Sequence, residues 1–158
     1  MSTIQQQGVD PLDGIAETLN RSAAATIAAA TRGLSPFTLM LAATDWGVHL
    51  ARAPGKQMQL GAKAARKHMR LADYAARQTR DPDAEPAIEP LPQDRRFSAP
   101  AWKQQPFNLI AQSFLLNQQW WYAATTGIGG VSKRHEDIME FTTRQMLDVL
   151  APTNFLAT

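Results

Sequence analysis

A chain of 158 residues suits one domain of ordinary size, and 44% apolar with 19% charged residues marks it as globular. Sixteen basic against fourteen acidic side chains leave a net charge of +2, too small to argue for a nucleic-acid partner. The absence of cysteine excludes disulfides, thiolate metal sites, iron–sulfur clusters and cysteine nucleophiles within these residues. No run approaches the ~20 apolar residues of a membrane span. The opening MSTIQQQGVDPLDG lacks the basic start and apolar core of a signal peptide, so a cytoplasmic protein is expected.

Charge is unevenly placed. Residues 51–80 carry eight basic and one acidic side chain, whereas residues 81–99 carry two basic and five acidic. In chain order, the alanine-rich stretch 12–32 has Ile15, Leu19, Ala23 and Ile27 at four-residue spacing, which predicts a helix ended by Gly33. Its small side chains bury little. A second helix is predicted over 35–52, with Ser35 as cap and Pro36 at the first helical position, where a missing N–H costs nothing. Phe37, Leu39, Met40, Leu41, Trp46, Val48 and Leu50 surround it, and Ala53, Pro54 and Gly55 break it. The third predicted helix, 56–77, has Met58, Ala62, Ala65, Met69, Ala72 and Ala76 at alternating spacings of four and three, a narrow apolar seam for a close partner.

The string DPDAEPAIEPLP, with four prolines and four acidic residues, predicts an extended linker. It divides the chain into a leader (1–33), a two-helix front module (34–80), the linker itself (81–93) and a main segment (94–158), with the front module free to move. The main segment is aromatic. Phe107, Ile110, Phe114, Leu115, Trp120, Trp121 and Tyr122 predict a strongly apolar helix over 106–125. Adjacent Trp120 and Trp121 cannot share one helix face, so at least one is expected to reach beyond its own bundle. Gly127, Gly129 and Gly130 then make a turn. A last helix, 132–150, carries Glu136 and Asp137 in its first turn and an inward face of Ile138, Phe141, Thr142, Met146 and Val149. The expected fold class is all-α, irregular and helical, with residues 95–158 packing poorly alone and self-associating.

Little here resembles a reaction centre. Asp45 and His49 lie one helical turn apart, yet a third group and a nucleophile are missing, and a structural pair is favoured. His68 and His135 fall on other segments, and neither HExxH nor a histidine pair at i,i+4 is present, so no metal or cofactor is expected. The glycines at 127–130 lack the strand and the Lys-Ser/Thr of a phosphate loop and read as a helix–helix turn. Lys63, Arg66, Lys67, Arg70 and Arg77 form a basic face that could meet phosphate, anionic lipid or an acidic protein, against the plainer reading of a solvated face. Trp46, Phe107, Phe114, Trp120 and Trp121 are the candidate docking residues.

Three strings resemble one family. The first is Leu34-Ser-Pro-Phe-Thr-Leu39 with Ala43-Thr-Asp-Trp-Gly-Val-His-Leu50 and Ala53-Pro-Gly-Lys-Gln57. The second is Asp94-Arg-Arg-Phe-Ser98 followed by Pro100 and Trp102. The third is Phe141-Thr-Thr-Arg-Gln-Met-Leu-Asp148 running into Ala151-Pro-Thr-Asn-Phe-Leu156. They are similar to the N-terminal region of class I polyhydroxyalkanoate synthases, which polymerise hydroxyacyl-CoA thioesters into storage polyester. In that family a cysteine in an α/β-hydrolase domain carries the growing ester. The domain is absent from this chain, so no catalytic residue carries over and this chain alone is expected not to be an enzyme. The resemblance implies roles in supporting activity, dimerisation and association with the polyester granule. The implied partners are a synthase catalytic domain or second synthase chain, and the granule surface or its coating proteins. The alternative is a stand-alone granule- or membrane-surface protein. A nucleic-acid adaptor acting through residues 63–77, which predicts binding that collapses steeply with salt, ranks last, because no aromatic residue lies on that basic helix before Tyr74.

Overall fold

The computed structural model describes residues 11–30 and 34–156, with side chains for 14–25 and 34–156. All regular structure among them is helical: α1 (Pro11–Ala30), α2 (Pro36–Ala51), α3 (Pro54–Gln78), α4 (Phe107–Thr125) and α5 (Lys133–Val149), with 3-10 turns at Pro100–Lys103 and Pro152–Asn154. Residues 1–41 and 42–158 form two units.

In the first unit, α1 forms as its alanine content predicts. The side chains of 14–25 are exposed, Ile15 and Leu19 included. Arg21 pairs with Glu17 at 2.8 Å across one turn, an exposed i,i+4 contact worth a few tenths of a kcal/mol. The expected stop at Gly33 and the side chain of Ile27 lie outside the described residues.

In the second unit α4 is central, and α3, α5 and both 3-10 turns pack on it. The break between α2 and α3 is shorter than the Ala53-Pro-Gly string predicts. Pro54 already opens α3, since a first-turn proline forfeits no helical hydrogen bond. Gln57 reaches back with Nε2 to the carbonyls of Leu50 (2.8 Å) and Ala51 (3.0 Å), satisfying the orphan end of α2.

The face α3 buries is not the expected one. Leu60, Tyr74 and Gln78 are buried and Ala64, Lys67 and Leu71 half-buried, which places the row 60, 64, 67, 71, 74, 78 inside. The six seam residues Met58, Ala62, Ala65, Met69, Ala72 and Ala76 are all exposed, Met58 by 76% and Met69 by 63%. Leu60, Leu71 and Tyr74 meet side chains of α4 in the buried clusters, while Met58 and Met69, the two large members of the seam, stay in solvent. α3 therefore carries two apolar stripes, one used and one left outward.

Two buried clusters result. Tyr74, Ala87, Ile88, Leu115 and Leu116 form one, with Leu71, Phe97 and Leu109 against it. Leu60, Ala123 and Ala124 form the other, with Leu50, Trp120 and Trp121. The proline-rich segment forms no helix or strand, with turns at 82–83 and 92–93 and a bend at 87–88, and it does not leave α3 free to move. Ala87 and Ile88 are buried, and Gln112 of α4 holds both backbone groups of Ile88, its Oε1 accepting from N–H at 2.7 Å and its Nε2 donating to the carbonyl at 3.0 Å. Arg70 donates to the Ala87 carbonyl, and Arg77 to that of Glu85 at 2.8 Å. Proline stiffens this strap, and the Ala-Ile pair in its middle supplies an anchor.

α5 is also rotated from expectation. Leu147 is buried and Ile138, Met139, Thr142 and Thr143 half-buried, while Phe141, Met146 and Val149 are exposed. Its main helical neighbour is α4, so one narrow stripe suffices to pack it.

Candidate functional site

The turn between α4 and α5 gathers side chains from α2 and α3. Helix ends leave unpaired carbonyls or amides, and each finds a distant partner here. Trp46 Nε1 donates to the Ala124 carbonyl at 2.9 Å. Lys56 Nζ donates to the Thr126 carbonyl at 2.6 Å, placing a cation at the negative end of α4. Partial burial and the nearby Lys63 push the Lys56 ammonium below its ordinary pKa, against a smaller opposing pull from Glu136.

Asp45 serves the start of α5. One carboxylate oxygen meets His135 Nδ1 at 2.6 Å and the Ser132 N–H at 3.3 Å, and the other meets His49 Nδ1 at 2.9 Å. The His135 hydrogen bond leads in holding the Asp45 carboxyl below its usual range. The expected pair with His49 is present, but the second imidazole was not legible, because Asp45 and His135 are ninety residues apart. One carboxylate orients two imidazoles, and the neighbouring hydroxyl is already employed: Ser132 Oγ accepts from the His135 N–H as the cap of α5. This knot is an assembly of helix caps.

The glycine turn behaves as a helix–helix connection. Gly127 and Gly130 take φ of +65° and +94°. The Gly127 N–H donates to Glu136 Oε2 at 2.6 Å, so a carboxylate of this chain occupies the position a phosphate would want.

The string Asp94-Arg-Arg-Phe has its own logic. Arg96 grips Asp94 with two parallel bonds, Nε to Oδ1 at 2.9 Å and Nη2 to Oδ2 at 2.6 Å, and also reaches Asp148 at 2.9 Å and Gln118 at 3.0 Å. Its guanidinium lies 5.2 Å from the Phe114 ring centre. These contacts tie the strap's end to α4 and α5. Hydrogen bonds from Arg96 are the chief cause holding Asp94 below its ordinary value of 3.8. A carboxyl depressed in the fold contributes stability above its unfolded pKa and loses it as pH falls through the folded value. The urea midpoint should therefore drop as pH is lowered below about 4, and Asp94→Asn should flatten that acid limb. An unchanged limb would remove Asp94 as its source.

Four members of the basic face, Lys63, Arg66, Lys67 and Arg70, line a groove of about 430 Å³ with Gln119, Tyr122 and Ala123 of α4. The fifth, Arg77, stands apart: it pairs with Asp73 at 3.0 Å, lies 5.9 Å from the Tyr74 ring centre and holds the strap.

The candidate docking residues all have internal partners. Besides the Trp46 bond, Trp120 Nε1 donates to the Leu60 carbonyl at 3.0 Å, and Trp121 meets the Trp120 ring edge-on at 5.2 Å. Phe107 packs edge-on against Trp102, and Phe114 and Trp102 both meet Phe97. Trp120 thus finds its neighbour in α3 of the same unit, not beyond the bundle as expected. Exposed apolar side chains of the second unit include those on the outer stripe of α3 and Met146, Val149, Leu150 and Phe155. The sequence signalled the first of these as a seam for a close partner helix, and its residues are exposed in this unit.

Helix caps and an arginine hub that draw on the recognisable strings, together with the strap, define a helical module whose motif residues serve assembly. Residues 93–158 match the family described as poly-beta-hydroxybutyrate polymerase (PhaC) N-terminus, and residues 14–56 that described as poly-beta-hydroxybutyrate polymerase N terminal. A poly(3-hydroxyalkanoate) polymerase of Methylorubrum extorquens is 32% identical over 124 residues, covering 77% of this chain. The chain spans a fifth (20%) of that relative's length. No solved structure matches. The chain is an N-terminal region of the polyhydroxyalkanoate synthase family. The first matched segment begins at residue 14, well before the front-module boundary expected at 34.

Proposed function

We propose that these residues form the non-catalytic N-terminal portion of a polyhydroxyalkanoate synthase, a helical base on which the cysteine-bearing acyltransferase domain docks. The supporting observation is the stretch 146–155, where Met146, Val149, Leu150 and Phe155 are all exposed, Phe155 by 69%. Soluble surfaces seldom leave such side chains grouped without a partner. With no thiol, the chain cannot carry an acyl group as a thioester; its contribution is to hold and position the domain that does.

Mixing the chain with the catalytic region of a family member should raise CoA release from hydroxybutyryl-CoA, while the chain alone releases none. Val149→Glu with Phe155→Glu should abolish the gain and leave the chain folded. CoA release by the chain alone would overturn the proposal.

Self-association belongs to the same reading and rests on the outer stripe of α3. Two such stripes of small residues can approach closely and bury Met58 and Met69 against each other. Sedimentation should show a dimer that Met58→Glu with Met69→Glu converts to monomer, without lowering the melting temperature. A dimer unaffected by the pair would place the contact elsewhere. Granule attachment is a second reading, favoured by exposed Phe37, Met40 and Leu41 on α2. Flotation with polyester granules lacking any full-length synthase tests it.

A further inference from the structure

We propose that the groove between α3 and α4 is a binding site for a small diphosphate-bearing anion, an activity independent of the scaffold role. Lys63, Arg66, Lys67 and Arg70 fall at i, i+3, i+4 and i+7 on α3, so one helix face presents four cations to one groove. No carboxylate lines it. Four cations elsewhere, Arg21, Arg77, Arg96 and Lys133, each contact an acidic side chain. Among the described residues no ion pair serves the four groove cations.

The groove is also arranged. Lys67 Nζ is held by Gln119 Oε1 at 2.7 Å, and the Arg70 guanidinium by the Ala87 carbonyl of the strap. Both heads are fixed before any ligand arrives, which lowers the ordering cost of binding. Burial, with Arg70 and Lys63 nearby, presses the Lys67 ammonium toward losing its proton, and an arriving anion relieves that repulsion. Tyr122, 60% exposed at the groove's edge, offers an aromatic face to a nucleobase.

Extent chooses the ligand class. The four cations span about 10 Å along α3 at 1.5 Å per residue. Before them the exposed positions of α3 are uncharged, because Lys56 is engaged with α4; after them comes Asp73, paired with Arg77. So short and concave a patch suits a diphosphate and is too small to track a nucleic-acid backbone or lie flat on a bilayer. A volume of about 430 Å³ falls in the range of small-molecule pockets.

Titration calorimetry on the whole chain with sodium pyrophosphate and with ADP tests this, at about 50 and 200 mM salt. Saturable 1:1 binding of pyrophosphate that weakens with salt is expected. Lys63→Gln with Arg66→Gln should weaken it by about tenfold or more at an unchanged melting temperature, since both side chains are exposed and bind nothing in the fold. Tighter binding of ADP, abolished by Tyr122→Ala, identifies a nucleotide as the source; equal binding identifies a free diphosphate. Absence of binding, binding that survives the double variant, or retention only on phosphatidylserine vesicles or duplex DNA would each overturn the proposal.

Discussion

Gln112→Ala should destabilise the second unit by about 2–4 kcal/mol, a large effect for one exposed-looking polar letter in the sequence. Gln112 is 7% exposed and its amide satisfies both the N–H and the carbonyl of Ile88, itself buried. Alanine removes both partners at once and leaves two backbone groups dry and unpaired, each costing about 1–3 kcal/mol less whatever water recovers. The strap should then lift, taking Ile88 out of the cluster with Tyr74, Leu115 and Leu116. Hydrogen exchange at the Ile88 amide should accelerate in step with the loss of stability measured in urea. Gln112→Glu separates size from hydrogen bonding: it keeps the shape and loses the donor, so it should fall between wild type and alanine. Full stability in Gln112→Ala would mean the strap contributes nothing.

Gly130→Ala should act in the turn after α4 and cost about 2–4 kcal/mol. The backbone φ of +94° strains any residue with a Cβ, and here that Cβ would also lie 2.3 Å from His49 Cδ2 and 2.7 Å from Nε2. The imidazole must move, yet its Nδ1 is tied to Asp45. Turning His49 away loosens the carboxylate that also holds His135 and the Ser132 amide. The His49 and His135 ring signals should both shift in proton NMR, although only one touches the new methyl. His49→Ala clears the space and should recover part of the loss in Gly130→Ala. A double variant no more stable than Gly130→Ala alone would show that backbone strain is the whole effect.

The helices were readable because proline, glycine and apolar spacing are local signals. Pro36 opens α2 as expected, and α4 and α5 lie within a residue of their predicted bounds. Which face each helix buries was not local. α3 shows why: its Met/Ala stripe is the more regular, but Leu60, Leu71 and Tyr74 are the side chains that find partners on α4, which local spacing does not record. The linker misled in a related way, since proline and charge describe solvation of most of the segment and say nothing of the Ala87-Ile88 anchor. Asp45 and His49 were visible as a pair through helical spacing; His135, Trp46 and Lys56 acquired their roles only from chain segments 70 to 90 residues away.

Those separations set a timetable for synthesis. At about 5–20 residues per second, Asp45 emerges many seconds before His135, and Lys56 before the Thr126 carbonyl it covers. The front helices cannot complete their caps until the α4–α5 corner has left the ribosome, so the unit closes late, as its last stretch is made. A nascent chain whose emerged part stops before residue 126 should present Leu60, Leu71 and Tyr74 to chaperones, and one whose emerged part extends past residue 135 should withdraw them.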